Sequence, residues 1–254
     1  MDVKTAARTL DLFEAFAELG RPATLTELAQ ATDMPVSSCF ALVRTLEARG
    51  YLFSTKDRGP LYPTGRLMQI AAEITANDPV TPDVLTAMDQ LRDELDETIV
   101  LGTLRGARVI YLHVAPARRP VRYAPGAGSS RPAHANSIGR AILAAMSADR
   151  RRVALGRMRY DRMTDETPTN AAALDRLIDE AAARGWAMNI GESDSDLAAV
   201  AHAVTLNGMI LGMSVGGPRH RIAEAPPERI AKALARTCRA LESRMDAAET
   251  AAKP

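Results

Sequence analysis

The first third of the chain contains two short helix patterns separated by a tight turn, and their order restricts the fold more than any other feature. Thr24 and Glu27 have the spacing of a capping box at the start of the first helix. Pro35 suits the first position of the second, and Gly50 suits its carboxyl-terminal cap. A longer amphipathic pattern precedes both and ends at Gly20. The sequence therefore predicts three helices, the last two forming a helix-turn-helix.

A short hairpin pattern follows the third helix. Residues 51–53 and 61–62 are rich in strand-forming side chains, and the turn between them carries Lys56 and Arg58. Three helices followed by a hairpin are typical of a winged helix-turn-helix, which we place at residues 1–63.

A further helix pattern follows the hairpin and connects it to the rest of the chain. Pro79 disfavours helical geometry in the residue before it, so we place this linker helix at residues 64–78.

The third helix carries polar side chains opposite its apolar face. Hydroxyl groups in its first turn add to the free N–H groups of a helix start, which favours contacts with phosphates and base edges. Residues 35–66 hold five basic and two acidic side chains, so positive charge is concentrated there. We predict that this helix binds double-stranded DNA, although a winged-helix module for protein interaction is the alternative. The predicted DNA contacts are Ser37, Ser38, Arg44 and Thr45 on the helix with Lys56 and Arg58 in the turn.

The last two thirds of the chain alternate between strand and helix patterns. Asn207-Gly208 between two apolar runs is the strongest short hairpin signal. The strands are expected at 98–104, 109–114, 199–206 and 209–215, and the helices at about 82–97, 136–146, 171–184 and 227–247. An antiparallel sheet covered by helices makes the fold class α+β. We place this domain at residues 79–248 and a tail at 249–254.

A serine hydrolase is the main alternative for this domain. Gly212 to Gly216 match the G-x-S-x-G pattern around a nucleophile, Ser214. That motif requires a sharp turn from a strand into a helix, whereas Ser214 lies within a predicted strand that Gly217-Pro218 follow instead of a helix. We therefore predict no enzyme activity, and a hydrolase-like domain fused to a DNA-binding head remains the alternative. A scaffold that binds no ligand is a third reading.

A loop before a helix suggests a ligand site. Asn136 and Ser137 open a helix pattern, and the backbone N–H groups of Ser137, Ile138 and Gly139 would face a ligand. An anion at an exposed helix start is favoured by roughly 0.3–1 kcal/mol. We expect a small carboxylate-like effector to bind there.

The sequence gives little support for a metal site, a cofactor site or a membrane span. Cys39 and Cys238 are far apart, and His113 and His134 lack further ligands at a recognisable spacing, so we expect no metal. Walker and dinucleotide-binding motifs are missing, so we expect no cofactor. No apolar run reaches the length of a membrane span, and we expect a cytoplasmic protein.

Three stretches resemble the IclR family of bacterial transcriptional regulators: LTELAQATDMPVSSCFALVRTLEARGYL, LYPTGRL and PAHANSIGRAILAA. The resemblance implies a winged helix, a linker helix and a GAF-like effector-binding domain. It also implies a homodimer or homotetramer that reads a pseudo-palindromic operator. Many members carry an arginine where this chain has Ala41, so the base contact at that position is not carried over.

The resemblance also implies which side chains face the effector. These are Asn189, Glu192, Ala199, His202 and Ser214, in addition to Ser137 and Ile138 at the helix start. Members that bind small oxoacids tend to have an acid at the position of Asn189 and a cysteine at that of Ala199. Because both are changed here, we expect a larger carboxylate, an aromatic acid or an amide-like effector.

Overall fold

The computed structural model describes residues 3–56, 59–76, 82–224 and 226–252. The chain divides into two compact units, residues 1–78 and 79–254. Each has its own hydrophobic core.

The first unit is a three-helix domain followed by a hairpin and a further helix. Its elements are α1 (Lys4–Leu19), α2 (Leu25–Ala31), α3 (Val36–Ala48), β1 (Leu52–Ser54), β2 (Leu61–Pro63) and α4 (Arg66–Ala76). Strands β1 and β2 pair in antiparallel fashion, with Phe53 opposite Tyr62. Leu12, Phe16 and Val43 are buried at the centre of this unit, where the helices and the hairpin meet. The predicted winged helix-turn-helix is confirmed.

Local signals explain where these helices begin and end. The Thr24 hydroxyl accepts a hydrogen bond from the Glu27 backbone N–H at 3.3 Å, and the Glu27 carboxylate accepts one from the Thr24 N–H at 2.8 Å. The capping box is therefore present. Pro35 is the residue before α3 and not its first residue, and the cap at the other end is Arg49, one residue before Gly50. The prediction for Pro35 was wrong by one position, whereas Gly50 has a φ of 74° and its N–H donates to the Glu47 carbonyl at 2.9 Å, as predicted for the glycine that caps the end of a helix.

The second unit contains six strands and six α-helices among its described residues. They are α5 (Pro82–Leu95), β3 (Thr98–Arg105), β4 (Arg108–Ala115), β5 (Ser130–Pro132), α6 (Ser137–Ala145), α7 (Ala148–Leu155), α8 (Ala171–Arg184), β6 (Ala187–Ile190), β7 (Leu197–Leu206), β8 (Met209–Pro218), α9 (Arg219–Glu224) and α10 (Pro227–Ala252). The strands form one antiparallel sheet in the order β5-β4-β3-β8-β7-β6. The α+β fold class is confirmed.

Helices cover both faces of this sheet because side chains alternate along each strand. Ile99 and Leu101 of β3 pack in the cluster that includes α5 and α10, whereas Val100 packs in the cluster that includes α6 and α8. Asn207 and Gly208 both have positive φ, 49° and 72°, and join β7 to β8 in the predicted hairpin. The sheet thus has helices on each side of it.

Four elements were not predicted: β5, α7, β6 and α9. Helix α7 buries none of its residues, so it has no apolar stripe that a sequence pattern could reveal. Helix α9 follows β8 directly, which corrects the expectation that no helix comes after Gly217-Pro218. Helix α10 continues to Ala252, so the tail predicted from residue 249 begins inside a helix.

Replacing Thr24 with Ala is expected to remove the cap of α2. Loss of such a cap costs about 1 kcal/mol, so backbone amides of α2 should exchange with solvent roughly fivefold faster. Amide hydrogen exchange measured by mass spectrometry on the full chain gives the rate. Thr26→Ala is the matched control, because Thr26 is exposed inside the same helix. Equal acceleration by both substitutions would contradict a role for the cap.

Candidate nucleic-acid interface and ligand cavity

Helix α3 has one buried and one exposed face. Cys39, Val43 and Leu46 are buried against the first unit's core. The exposed positions recur three, four and seven residues apart, which places them on one side of the helix. They are Val36, Ser37, Phe40, Ala41, Arg44, Thr45 and Ala48. This face is open to a partner molecule.

The predicted contact residues differ in how accessible they are. The Arg44 side chain is 69% exposed, and its Nη1 lies 3.8 Å from Glu47 Oε2 in a loose ion pair. Ser37 is exposed and Ser38 is half-buried. The Thr45 hydroxyl donates to the Ala41 carbonyl at 2.9 Å, so it is engaged within the helix.

A groove of about 760 Å³ runs between α2, α3 and the hairpin, and Arg44 and Lys56 both line it. At the base of the hairpin, the Ser54 hydroxyl lies within hydrogen-bond distance of the Lys56 and Gly59 backbone carbonyls, to which it donates. Arg58 lies outside the described residues. The structure therefore brings together two of the predicted cations, and because Glu47 is the one carboxylate among the described residues of the lining, the groove keeps a net positive charge that suits a polyanion.

The second unit holds an enclosed cavity between the start of α6 and strands β6 to β8. Four of the predicted effector residues line it, namely Ser137, Asn189, Ala199 and Ser214. The other lining residues are Tyr111, Tyr123, Asn136, Ser193, Leu197, Ala198 and Gly216. None of these eleven side chains is charged, so the cavity offers hydroxyl and amide groups together with small apolar surfaces.

Hydrogen bonds orient the two tyrosine and two asparagine side chains of this cavity. The Asn136 amide donates to the Tyr111 hydroxyl at 2.9 Å, and that hydroxyl lies 3.3 Å from the Tyr123 hydroxyl. Burial raises the pKa of Tyr111, so its phenol stays protonated at neutral pH. The Asn189 amide donates to the Ala135 carbonyl at 2.6 Å, across from α6. The site thus presents neutral donors and acceptors in fixed positions.

The cavity is small and covered by the irregular segment 116–129, which we call the cover segment. Its volume of about 30 Å³ is far below the roughly 300–1,000 Å³ of an ordinary ligand pocket. Tyr123 of the cover segment accepts a hydrogen bond at its carbonyl from the Thr98 hydroxyl at 2.5 Å. Arg221 donates to the Val121 carbonyl at 3.0 Å, while the same guanidinium pairs with Glu97. Tyr123 is the residue of the cover segment that lines the cavity.

The predicted anion site at the start of α6 is occupied by the protein itself. The Asn136 side-chain oxygen accepts hydrogen bonds from the backbone N–H groups of Ile138 at 2.9 Å and Gly139 at 3.4 Å. The Ile138 side chain is buried against the sheet and does not line the cavity. Asn136 is therefore a helix cap that also lines the site, and Ile138 is a packing residue.

Glu192 is directed away from the cavity towards Arg140, an inward-facing residue of α6. The two form a buried ion pair, and the Arg140 side chain is only 2% exposed. Arg140 also donates to the Met188 carbonyl at 2.7 Å. Burial lowers the pKa of Arg140 to about 9, which leaves the guanidinium charged at neutral pH. The expectation that Glu192 faces an effector is corrected: its carboxylate neutralises a buried cation.

His202 lies apart from the cavity as well. It is an odd number of residues from Ala199 on β7, so the two side chains point to opposite faces of the sheet. Its Nδ1 donates to the Ala203 carbonyl at 2.6 Å. His202 lines a separate cleft of about 340 Å³ with Trp186 and Glu242. The structure does not bring it together with the other predicted effector residues.

Ser214 has no catalytic surroundings. It lies in the middle of β8, paired with Val100 and Ala201, and the cavity around it contains neither a histidine nor a carboxylate. Among the described residues, no group of three His, Cys, Asp or Glu side chains is placed to hold a metal ion. Within the same residues, no helix combines the length and apolarity that crossing a bilayer requires.

Sequence reasoning missed the two tyrosines of the cavity. Tyr111 is an inward position of β4, which the alternation of that strand could have indicated. Tyr123 and Ser193 lie outside helices and strands, where no periodic pattern reports the direction of a side chain.

Comparison with known proteins covers nearly the whole chain. Residues 5–54 match the model of the IclR helix-turn-helix domain, and residues 74–243 match that of the bacterial transcriptional regulator IclR C-terminal domain. The HTH-type transcriptional regulator BhcR of Paracoccus denitrificans is 30% identical over 98% of this chain and 91% of its own.

Two solved structures share the fold. The Thermotoga maritima IclR superposes with a TM-score of 0.80 at 17% identity, covering 95% of this chain and 98% of that one. An IclR homologue of Microbacterium hydrocarbonoxydans complexed with 4-hydroxybenzoate gives a TM-score of 0.73 at 20% identity, covering 96% and 99%.

Replacing Glu192 with Gln is expected to destabilise the second unit by about 3–5 kcal/mol, because it leaves the charge of Arg140 buried and unpaired. Urea unfolding followed by Trp186 fluorescence measures this unit alone, since Trp186 is the only tryptophan of the chain. Asp149→Asn is the control, because it breaks an exposed pair with Arg152 and should cost less than about 1 kcal/mol. Adding Arg140→Gln to Glu192→Gln should recover part of the loss. Equal effects of the two single substitutions would refute the buried pair.

Proposed function

This chain belongs to the IclR family of bacterial transcriptional regulators, and we propose that it controls transcription from a pseudo-palindromic operator in response to a small organic effector. It has the helix-turn-helix domain and the effector-binding domain of that family. The observation that carries the proposal is the exposed face of α3, where Ser37 and Arg44 face away from the core beside a groove lined by Lys56. A helix presented in this way fits the major groove of DNA.

We propose that three segments of the chain have different functions. Residues 1–63 bind DNA, residues 64–78 connect the domains, and residues 79–248 bind the effector. An effector changes operator affinity only if it binds two conformational states of the protein with different affinities. The difference between those affinities limits the size of the change.

A homo-oligomer fits the surface of the first unit. Helix α4 buries none of its residues, and its Met68 is 76% exposed, with Ile74 also exposed two turns later. Apolar side chains on an otherwise unpaired helix support contact with a second copy of the chain. A dimer related by a two-fold axis would present two α3 helices to two half-sites of the operator.

The chemistry of the cavity supports a carboxylate or amide with an apolar body, such as an aromatic acid. Ser214, Ser193 and Asn189 supply neutral polar groups, and Leu197 and Ala199 supply apolar surface. The related structure that contains 4-hydroxybenzoate is consistent with this class of ligand. The ligand displaces the cover segment, because the closed cavity is much smaller than an ordinary ligand pocket.

The same cavity argues against an enzyme. A serine nucleophile needs an adjacent base, and none lines the cavity around Ser214. Incubation with a bound compound followed by mass measurement would reveal turnover if the domain were a hydrolase. A regulator of transcription acts where the bacterial chromosome lies, and we place the protein in the cytoplasm.

Arg44→Ala and Ser38→Ala are each expected to weaken operator binding. For Arg44 the loss should be about tenfold or more, since a direct base contact is worth roughly 1–3 kcal/mol. If Arg44 contacts a phosphate instead, the plot of log K against log salt concentration should be shallower by about one unit for Arg44→Ala. Fluorescence anisotropy with labelled promoter DNA at several salt concentrations separates the two. Arg152→Ala, an equally exposed arginine on α7, is the control. If both α3 variants bind like the wild type, α3 does not enter the groove.

Ser214→Ala and Ser193→Ala are expected to weaken effector binding by roughly fivefold or more each, because a lost hydrogen bond in a closed site costs about 1–3 kcal/mol. The measurement is the midpoint of thermal unfolding, followed by Trp186 fluorescence, with benzoate, 4-hydroxybenzoate and the matching amides. A ligand at one hundred times its Kd adds about 2.7 kcal/mol to the free energy of unfolding. His202→Ala is the control, because its side chain lies in the other cleft. If only His202→Ala abolishes the ligand-induced shift of the unfolding midpoint, the effector binds in the cleft that contains His202.

A further inference from the structure

The exposed face of α3 contains a large apolar side chain that neither the core nor the predicted contacts use. Phe40 is 54% exposed and lies three residues after Ser37 and four before Arg44, on the same side of the helix. It is not part of the hydrophobic cluster that α3 shares with α1 and α2. Val36, four residues before Phe40 on the same side of α3, is also 50% exposed, and adjoining exposed apolar side chains mark an interaction surface where a single one does not.

Ala41 extends this apolar patch. It is exposed next to Phe40 at the centre of the face, and its short side chain lets a partner approach the helix closely. Neither side chain donates or accepts a hydrogen bond. The centre of the face therefore lacks the means to read guanine through a bidentate hydrogen bond, which requires Arg or Lys.

The surroundings of this patch suit DNA. Arg44 lies one turn further along α3, and Lys56 lines the same groove as Phe40. A partner that fits this apolar patch and its neighbouring cations should be anionic along its edges and apolar at defined points between them. The major groove has that form, because phosphates border it and the C5-methyl group of thymine projects into it.

We propose that Phe40, assisted by Ala41, reads thymine methyl groups in the major groove and so determines which operator bases are recognised. This inference rests on the proposed DNA-binding function. The known apolar contacts of thymine methyl groups are with side chains such as Ala and Phe. Burying one methyl group is worth about 0.8 kcal/mol, or about fourfold in affinity.

The test compares thymine with deoxyuridine, which lacks only the methyl group. Duplexes that bind the full-length protein are first selected from a randomised DNA pool. One selected duplex is then synthesised with thymine or with deoxyuridine throughout, and its Kd is measured for each form by fluorescence anisotropy. The wild type should bind the thymine duplex about fourfold more tightly for each methyl group that it contacts.

The Phe40→Ala variant should bind the thymine duplex more weakly and should lose most of the preference over deoxyuridine. Phe40→Gln is a second variant that keeps a long side chain without the apolar ring. Phe53→Ala is the matched control, because Phe53 is an exposed phenylalanine on β1. It should retain the wild-type preference, since the signal comes from α3. Circular dichroism verifies that each variant is folded.

The possible outcomes distinguish a failure of this inference from a failure of the proposed DNA-binding function. If the selection yields no bound DNA, the proposed DNA-binding function is overturned and the inference falls with it. If the wild type binds both forms equally, or if both Phe40 variants keep the preference, the protein still binds DNA but the inference is wrong. A preference lost only in Phe53→Ala would assign the methyl contact to the hairpin and likewise overturn it.

Discussion

The ligand cavity depends on how closely helix α6 approaches the sheet. A Cβ atom at Gly212 would lie 2.7 Å from the Ile138 side chain, and one at Gly139 would lie 2.5 Å from the Ala133 carbonyl. Both distances are too short for any side chain, so glycine at these two positions allows the contact. The start of α6 consequently sits against β8, next to the strands that carry Asn189 and Ser214. Without this approach the polar side chains of the cavity would not face one another.

Charged groups in the same region hold the structure together and leave the cavity neutral. Arg140 and Glu192 neutralise one another inside the domain, and Arg221 pairs with Glu97 next to the cover segment. Such pairs are costly to break because each partner would remain buried alone. A ligand in this cavity would meet hydroxyl and amide groups, so that shape and hydrogen bonding would determine selectivity.

Local chemistry made much of the fold predictable. The capping box at Thr24 and the Asn207-Gly208 turn each depend on only two to four neighbouring residues, and the structure contains both. Helix α7 and strand β6 could not be predicted, because they are short and their positions depend on tertiary contacts. Of the effector residues predicted from sequence and resemblance, Ser137, Asn189, Ala199 and Ser214 line one cavity in the structure. The same predictions misplaced Glu192, whose partner lies 52 residues earlier in the chain, and His202, whose side chain points to the opposite face.

If the effector enters by displacing the cover segment, as we propose, the strength of its binding depends in part on residues that do not touch it. If only a fraction of molecules is open at a given moment, the apparent Kd rises by the inverse of that fraction. The contact of Arg221 with the Val121 carbonyl helps to set that fraction and lies outside the cavity lining. Changes there would alter the metabolite concentration at which genes respond while leaving the choice of metabolite intact. Sensitivity and selectivity can therefore evolve independently in this domain.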